Sequence, residues 1–471
     1  LTGIALSIAP LNYNPAVFGI DLDKSTGIGL TFNQGVKAGS GNVTLRETNG
    51  SGTVVQNWGV GSSITYSNGD SISMSLDSNL SSSQLYHLSY PSGAFTNLGG
   101  DVSYVGTAYT FVTKAPTYSL WSWGRNNDGE LGINDTNMRS SPVQVPGTTW
   151  DQVTNISPDG SGALMTKTDG TLWGWGRNNY GQLGVNNTTK YSSPVQTGSD
   201  TDWAMGAQGN YSKGIAVKTD GTMWIMGRNT HGALGQNSPD NSHVSSPVQI
   251  PGTTWSSDIT KNSTSQLDNA SVKTDGTLWV WGNNANGQLA QNNTTQYSSP
   301  VQIPGTSWSS VSGTYQGYLA TKTNGTLWGW GYNYKGTLGV NDGVRYSSPV
   351  QIPGTTWSKL GGADSTVGAI KTDGTLWMWG WNYTGTVGDG SNTDRSSPVQ
   401  IPGTTWKQLG GGAKGIQAVK TDGTLWAWGS GTYGGGGQNN RSNYNSPVQI
   451  PGTSWAFTMG NGNSVYASKE V

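Results

Sequence analysis

The stretch "LWGWGRNNYGQLG" (172–184) decides the fold, because the chain writes it seven times. Related stretches begin at 120, 223, 278, 327, 376 and 425, and corresponding positions recur at steps of 49 to 55 residues. Each begins Leu-Trp-x-Trp or a close variant; Met226 replaces the second indole of the third copy. Residues i and i+2 share one face of a strand, so the two indoles point the same way. "SPVQ" follows every copy, first at 141 and last at 446. Next comes a "PGTTW"-like turn that closes on Trp150, Trp203, Trp255, Trp308, Trp357, Trp406 or Trp455. A short apolar segment then ends in Lys167, Lys218, Lys273, Lys322, Lys371, Lys420 or Lys469, and "TDG" or "TNG" leads from the first six lysines into the next Leu-Trp.

"KTDGTLW" is two apolar runs around an Asp-Gly turn, which is a hairpin signal. "PVQIPG" is a short strand stopped by Pro-Gly. No segment holds a helical period. Each unit of about 50 residues therefore carries about four short strands, the size of one propeller blade. The repeats absorb 20 of the 22 tryptophans and leave Trp58 and Trp381. An indole buries roughly 150–250 Å², or about 5 kcal/mol gross at ~25 cal/mol/Å². That repeated burial explains how a chain with 5 Phe and 11% charged residues folds.

The ends of the array are out of phase in a useful way. The first copy lacks the "KTDG" hairpin, and the chain ends on "SVYASKEV" (464–471), a strand without its hairpin partner. The two should pair, close the ring and remove its open sheet edges.

The pattern Leu-Trp-x-Trp-Gly-x-Asn-x-x-Gly-Gln-Leu-Gly, then Pro-Val, then Trp, resembles the regulator-of-chromosome-condensation repeat over about 118–471. The resemblance implies a seven-bladed β-propeller. Family members that promote nucleotide exchange carry a Gly-x-x-His-like element before the inner strand. The matching stretches here, "SPDGSGALMTK" (157–167), "GGADSTVGAIK" (361–371) and "GGGAKGIQAVK" (410–420), hold no His. Bacterial relatives include a secreted inhibitor that grips an enzyme with its propeller face, so the resemblance implies binding rather than chemistry. Residues 1–114 alternate as strands between Gly, Ser and Asn turns. "FNQGVKAGSGNVTL" (32–45) and "GAFTNLGG" (93–100) resemble the bacterial Ig-like domain of surface-layer proteins. The expected fold is all-β: an N-terminal Ig-like β-sandwich (1–114), a linker "TKAPTYS" (113–119) and a seven-bladed β-propeller (115–471) closed by its terminal strands. "LTGIALSIAP" (1–10) reads as a strand, in a chain expected to have lost upstream residues.

Composition narrows the function. Net charge is −1 and no basic run stands out, against nucleic acid as the partner. With no Cys, disulfides and thiolate metal sites are excluded. No apolar run approaches the ~20 residues of a membrane helix, so membrane insertion is not expected. His87, His231 and His243 have no metal-ligand spacing. There is no Gly-x-Ser-x-Gly elbow and no acid pair, and "GGGAKG" (410–415) falls where other copies are also Gly-rich. The expectation is a non-enzyme without cofactor. The repeating lysines read either as an anion-binding ring or as exposed strand ends beside a turn Asp.

Comparing the copies with one another locates the candidate site. After Trp-Gly the residue is Arg125, Arg177, Arg228, Asn283, Tyr332, Trp381 or Ser430. Two further on stand Asn127, Asn179, Thr230, Ala285, Tyr334, Tyr383 and Thr432, followed by Asp128, Tyr180, His231, Asn286, Lys335, Thr384 and Tyr433. A column that accepts Arg, Asn and Ser is not core, since unpaired charge is not buried cheaply. Trp381, Tyr383, Tyr332 and Tyr334 are expected to form an accessible aromatic patch over the fifth and sixth copies. Arg125, Arg177 and Arg228 are expected to form a cationic arc over the first three, with Tyr180 and Tyr433 on the same face. Such groups suit a glycan or a protein surface. The sequence thus points to an extracellular, cell-surface or virion protein, adhesive or structural, with self-assembly through the Ig-like domain as a further expectation. A secreted protein-binding propeller such as an enzyme inhibitor is the alternative.

Overall fold

Asp-Gly and Asn-Gly hairpins alternate with Pro-Gly turns throughout the repeats, and the chain answers with strands almost everywhere. The structure, a computed structural model, describes residues 10–14, 28–32, 34–48, 50–77, 80, 84–103, 108–113, 118–151, 161–209, 213–238, 240–265, 267–412, 414–461 and 463–470. Among them the only helical pieces are two 3₁₀ turns, Ile259–Lys261 and Tyr334–Gly336. No helix of the described residues is long and apolar enough to cross a membrane. Contacts divide the chain into Leu1–Pro116 and Thr117–Val471. The expected strand at 1–10 and linker at 113–119 lie largely outside the described residues.

In the first unit, Pro10–Asn14, Ile28–Phe32, Ser71–Met74 and Thr65–Ser67 form one sheet, and Tyr109–Val112, Leu85–Ser89, Asn42–Glu47 and Val54–Gly59 form another. Period-two burial along Ile28–Phe32 turns Ile28, Leu30 and Phe32 inward. They join Val43, Leu45, Tyr86, Leu88 and Phe111 of the other sheet in one core. Trp58, outside the repeats, belongs to this core and donates its indole N–H to the Ser75 carbonyl at 2.7 Å.

The second unit is a succession of seven propeller-like antiparallel sheets, six of four described strands and one of three. The sixth is representative: Trp357–Gly362, Thr366–Lys371, Leu376–Gly380 and Arg395–Ile401 pair in chain order. The first sheet is different, ordered Arg139–Gln144, Tyr118–Gly124, Ser464–Glu470, Trp455–Asn461. Tyr118 to Gly124 pair with Glu470 to Ser464 without a register break, so the last strand completes the first sheet as the array's phase requires.

Three indoles per copy hold the sheets. The closing Trp357 packs edge-on against both Trp377 and Trp379, 6.3 Å between centroids in each case, which follows from those two sharing a strand face. The first indole of a pair is half-buried and donates to the threonine of the preceding turn, as Trp377 does to Thr375 at 3.0 Å. The second is fully buried and reaches back one sheet. Trp175, Trp281, Trp330, Trp379 and Trp428 donate to the carbonyls of Glu130, Ala233, Gln288, Thr337 and Thr386 at 2.9–3.1 Å. Met226 has no N–H for this bond, though it is fully buried in the same place.

Near the axis the first strands of successive sheets approach closely through small residues. A Cβ on Gly410 would lie 2.6 Å from the Thr458 carbonyl oxygen. Five of these strands or their flanking turns line an axial cavity of about 320 Å³.

Candidate functional site

The turn after each Trp-Gly and the turn joining the first two strands meet at one face of the disc. The amide of the residue after Trp-Gly donates to that second turn: Arg125 to Asn463, Arg177 to Ser161, Asn283 to Leu267, Tyr332 to Gln316, Trp381 to Ser365 and Ser430 to Lys414, at 2.8–3.0 Å. The glycine before it has a positive φ that lets the turns close; a Cβ on Gly380 (φ 104°) would lie 2.5 Å from the Ser365 carbonyl oxygen. In all seven copies the side chain that follows is half-buried.

The predicted aromatic residues form two ladders, each inside its own copy. Trp381 stacks on Tyr383 with 6.0 Å between centroids and 24° between planes. Tyr332 stacks on Tyr334 at 6.0 Å and 12°, and Tyr315 packs against Tyr332 at 6.3 Å with its ring tilted by 50°. Cations steady both ladders, Lys414 over Trp381 at 5.9 Å and Arg345 over Tyr332 at 4.7 Å. Tyr383 is 75% exposed and Tyr334 44%. Tyr180 lies apart, under the Arg228 guanidinium at 5.2 Å and edge-on to His243 at 4.9 Å. Tyr433 lies apart as well, half-buried in a small recess with Lys414.

The expected cationic arc is not free charge. Arg177 donates twice to Asp128, at 2.7 and 3.0 Å, and Lys190 grips the other oxygen of the same carboxylate. Arg125 lies 3.9 Å from Asp128 and 3.5 Å from Glu130. Burial pushes the Asp128 carboxyl up, but hydrogen bonds and charge from Lys190 and Arg177 outweigh it and leave it below the usual range. Glu130, more deeply buried, is pushed up. Arg228 spends its Nε–H on Thr230 at 2.8 Å. The sequence showed the arginines but not that Asp128, one copy away, meets Arg177, since that contact depends on the rotation between sheets.

The seven lysines lie at the opposite ends of these strands. Each ammonium sits over two indoles, as Lys371 does over Trp357 at 4.8 Å and Trp377 at 4.6 Å. The same holds for Lys167, Lys218, Lys273, Lys322 and Lys420, and for Lys469 over Trp455 and Trp121 across the closing seam. They are neither bare strand ends nor an open anion ring; they brace the indole pairs.

One buried cluster escaped the sequence comparison. Lys213 and Asp268 are 2% and 1% exposed. Lys213 Nζ donates to the Asp268 carbonyl at 3.0 Å, while Tyr318 and Gln288 donate to the Asp268 carboxylate at 2.5 and 3.3 Å. Burial pushes Lys213 down to about 8 and Asp268 up to about 6. Both stand opposite the glycine after Trp-x-Trp, in a column otherwise filled by Gly162, Gly317, Thr366, Gly415 and Ser464. Two charges among small residues were the available signal. His243 Nδ1 accepts the Asn229 amide at 3.1 Å and so holds its own loop. No group of three His, Asp or Glu positioned for a metal occurs among the described residues.

Segments 119–157, 169–210, 275–316 and 373–415 match the regulator of chromosome condensation (RCC1) repeat. The second unit is an RCC1-like β-propeller. Human WBSCR16 superposes on 75% of this chain with a TM-score of 0.65 at 17% identity, covering 98% of its own chain. Prp20p of Saccharomyces cerevisiae, whose structure is described with its binding to Gsp1p and histones, gives 0.64 at 15% identity over 75% of this chain and 92% of its own. At those identities the likeness is one of fold. In sequence, the RCC1-like propeller is 28% identical over 185 residues to the ultraviolet-B receptor UVR8 of Arabidopsis thaliana, 39% of this chain and 41% of the receptor. It is also 28% identical over 208 residues to human HERC2, an E3 ubiquitin-protein ligase, 42% of this chain and 4% of the ligase. The alignments thus span less than half of either relative.

Proposed function

We propose that this chain is a non-enzymatic recognition protein of a cell or virion surface. Its seven-bladed propeller binds a glycan or protein through the face that carries Trp381, Tyr383, Tyr332 and Tyr334, and its Ig-like N-terminal sandwich serves as spacer or assembly module. The observation that carries this is the Trp381–Tyr383 ladder: a large aromatic ring held 75% exposed on a second ring, in a column where every other copy but the fifth, with Tyr334, keeps Asn, Thr or Ala. A ring this exposed is available to a partner, and aromatic groups anchor both sugar-stacking and protein interfaces. The ion pairing of Arg125 and Arg177 with Asp128 and Glu130 also favours a partner that is not a polyanion.

A protein partner, as for a secreted inhibitor, is the second reading. It is favoured by the RCC1-like fold, since the structural relative Prp20p is described binding Gsp1p and histones. Glycan and protein arrays probed with the wild type, Trp381→Ala and Tyr332→Ala test the proposal. Binding that both variants retain at wild-type strength would remove the aromatic face from the function.

A further inference from the structure

The sixth copy breaks one rule of the array. Two residues after the end of the Gly-x-Leu-Gly segment (Ala290 in the fourth copy, Gly437 after Gly436 in the seventh), the other six copies carry an asparagine with positive φ: Asn134, Asn186, Asn237, Asn292, Asn341 and Asn439, at 50–64°. Five of these side chains accept a hydrogen bond from one of the two serines that precede Pro-Val in the next copy, as Asn134 does from Ser193 at 3.0 Å and Asn341 from Ser396 at 3.2 Å. The sixth copy has Gly390 at this position, with φ 80°. Its backbone makes the usual tie, donating to the Asn445 carbonyl at 2.8 Å. Only the side chain is missing, and a Cβ there would lie 3.8 Å from Ser446 Oγ. The seventh copy departs too, with Asn445 where every other copy has Ser.

Beside these two exceptions lies a groove of about 300 Å³, lined by Tyr383, Thr384 and Asn392 of the sixth copy and by Asn443, Tyr444, Asn445, Ser446 and Val448 of the seventh. None of its lining residues is charged. Asn443 Oδ1 accepts the Gly431 amide at 3.0 Å, which leaves its NH₂ to donate. Asn445 Nδ2 donates to the Gly390 carbonyl at 3.0 Å, which leaves its oxygen to accept. Tyr444 receives a hydrogen bond from Asn440 at 2.9 Å, which fixes its hydroxyl. The groove thus joins an exposed ring face to fixed neutral donors and acceptors. A pyranose needs that combination, because its C–H face stacks on an aromatic ring while its hydroxyls both give and take hydrogen bonds. A peptide anchor would want an apolar pocket, and an acidic sugar would want a cation.

We infer that the groove between the sixth and seventh sheets is a binding site for a neutral saccharide, flanked by Gly390, where an asparagine side chain would reach toward Ser446 of the groove lining. This rests on the recognition role proposed above and assigns it a ligand class and a place. The test is Gly390→Asn, which restores the side chain that the other six copies carry in a backbone conformation asparagine tolerates. Tyr383→Ala, at an exposed position, is the companion that cannot fail by unfolding. Both variants and the wild type are applied to an array of neutral and acidic oligosaccharides, with thermal melts as a fold control. The expected result is wild-type binding to neutral glycans, weakened at least tenfold in both variants with melting unchanged. Neutral-glycan binding that Gly390→Asn leaves intact but Trp381→Ala removes would overturn the groove and keep the broader role. Binding confined to acidic glycans, or no glycan binding at all, would also overturn the groove, and a protein array then decides the broader role.

Discussion

Trp123 donates its indole N–H to the carbonyl of Gly435, 312 residues later in the chain, at 3.0 Å. It is the same sheet-to-sheet bond that Trp175 makes to Glu130 and Trp379 to Thr337, but here it joins the first copy to the last. Together with the Tyr118–Gly124 and Ser464–Glu470 pairing it joins the two ends of the array and covers the edge of Tyr118–Gly124 that would otherwise stand open.

Truncation after Asn463 should therefore be far worse than the loss of a terminal strand elsewhere. It would expose the edge of Tyr118–Gly124 and uncover Trp123. The expected outcome is a broad, non-cooperative urea transition and aggregation by light scattering. Trp123→Phe keeps an aromatic ring but removes the N–H and the five-membered half of the indole, so it should cost about 1–3 kcal/mol from the unpaired buried carbonyl, with the vacated space adding to that.

Trp379 and Trp381 should separate cleanly. Trp379 is fully buried and bonded to the preceding sheet, and Trp379→Ala should cost about 3–5 kcal/mol. Trp381 is half-buried and its ring meets Tyr383 and Lys414. Trp381→Ala should stay within roughly 1 kcal/mol of wild type, and denaturant midpoints of the two variants check the difference.

The buried Lys213–Asp268 cluster gives a signed pH dependence. The carboxyl sits at about 6 in the folded chain, above its ordinary 3.8, so the folded state holds the extra proton and stability falls as pH rises through that window. The ammonium sits at about 8, below its ordinary 10.5, so stability falls as pH drops from 10.5 through 8. Asp268→Asn should abolish the acid-side slope. At pH 7 it leaves a buried ammonium uncompensated and costs on the order of 3 kcal/mol. Part of that loss should return above pH 8, where Lys213 gives up its proton. Urea midpoints at pH 5, 7 and 9 check this, with Lys213→Met as the variant lacking the alkaline recovery.

Asp128 holds Arg177 and Lys190 by ion pairs, so Asp128→Asn should release both cations. Losing its charged hydrogen bonds to Arg177 and Lys190 should cost about 1–3 kcal/mol. The variant should also gain salt-sensitive retention on a heparin column that the wild type lacks. Equal retention of both proteins would show that the arc is already available to anions.

Along this chain the sequence alone determined whatever repeats. The Leu-Trp-x-Trp strands, the Asp-Gly hairpins and the phase of the two ends are legible, because every sheet must bury the same face and the array must lose its edges. Comparison of the copies also singled out Trp381 and Tyr383, since a column that takes arginine in one copy and tryptophan in another cannot be core. What the sequence could not decide is lateral. Arg177 and Asp128 are 49 residues apart and meet only because one sheet is rotated onto the next. The lysines find their indoles across strand pairings that bring Lys371 beside Trp357 and Trp377. The groove beside Gly390 is lateral too, since it exists only because tertiary packing sets Asn445 and Ser446 of the next sheet against Tyr383.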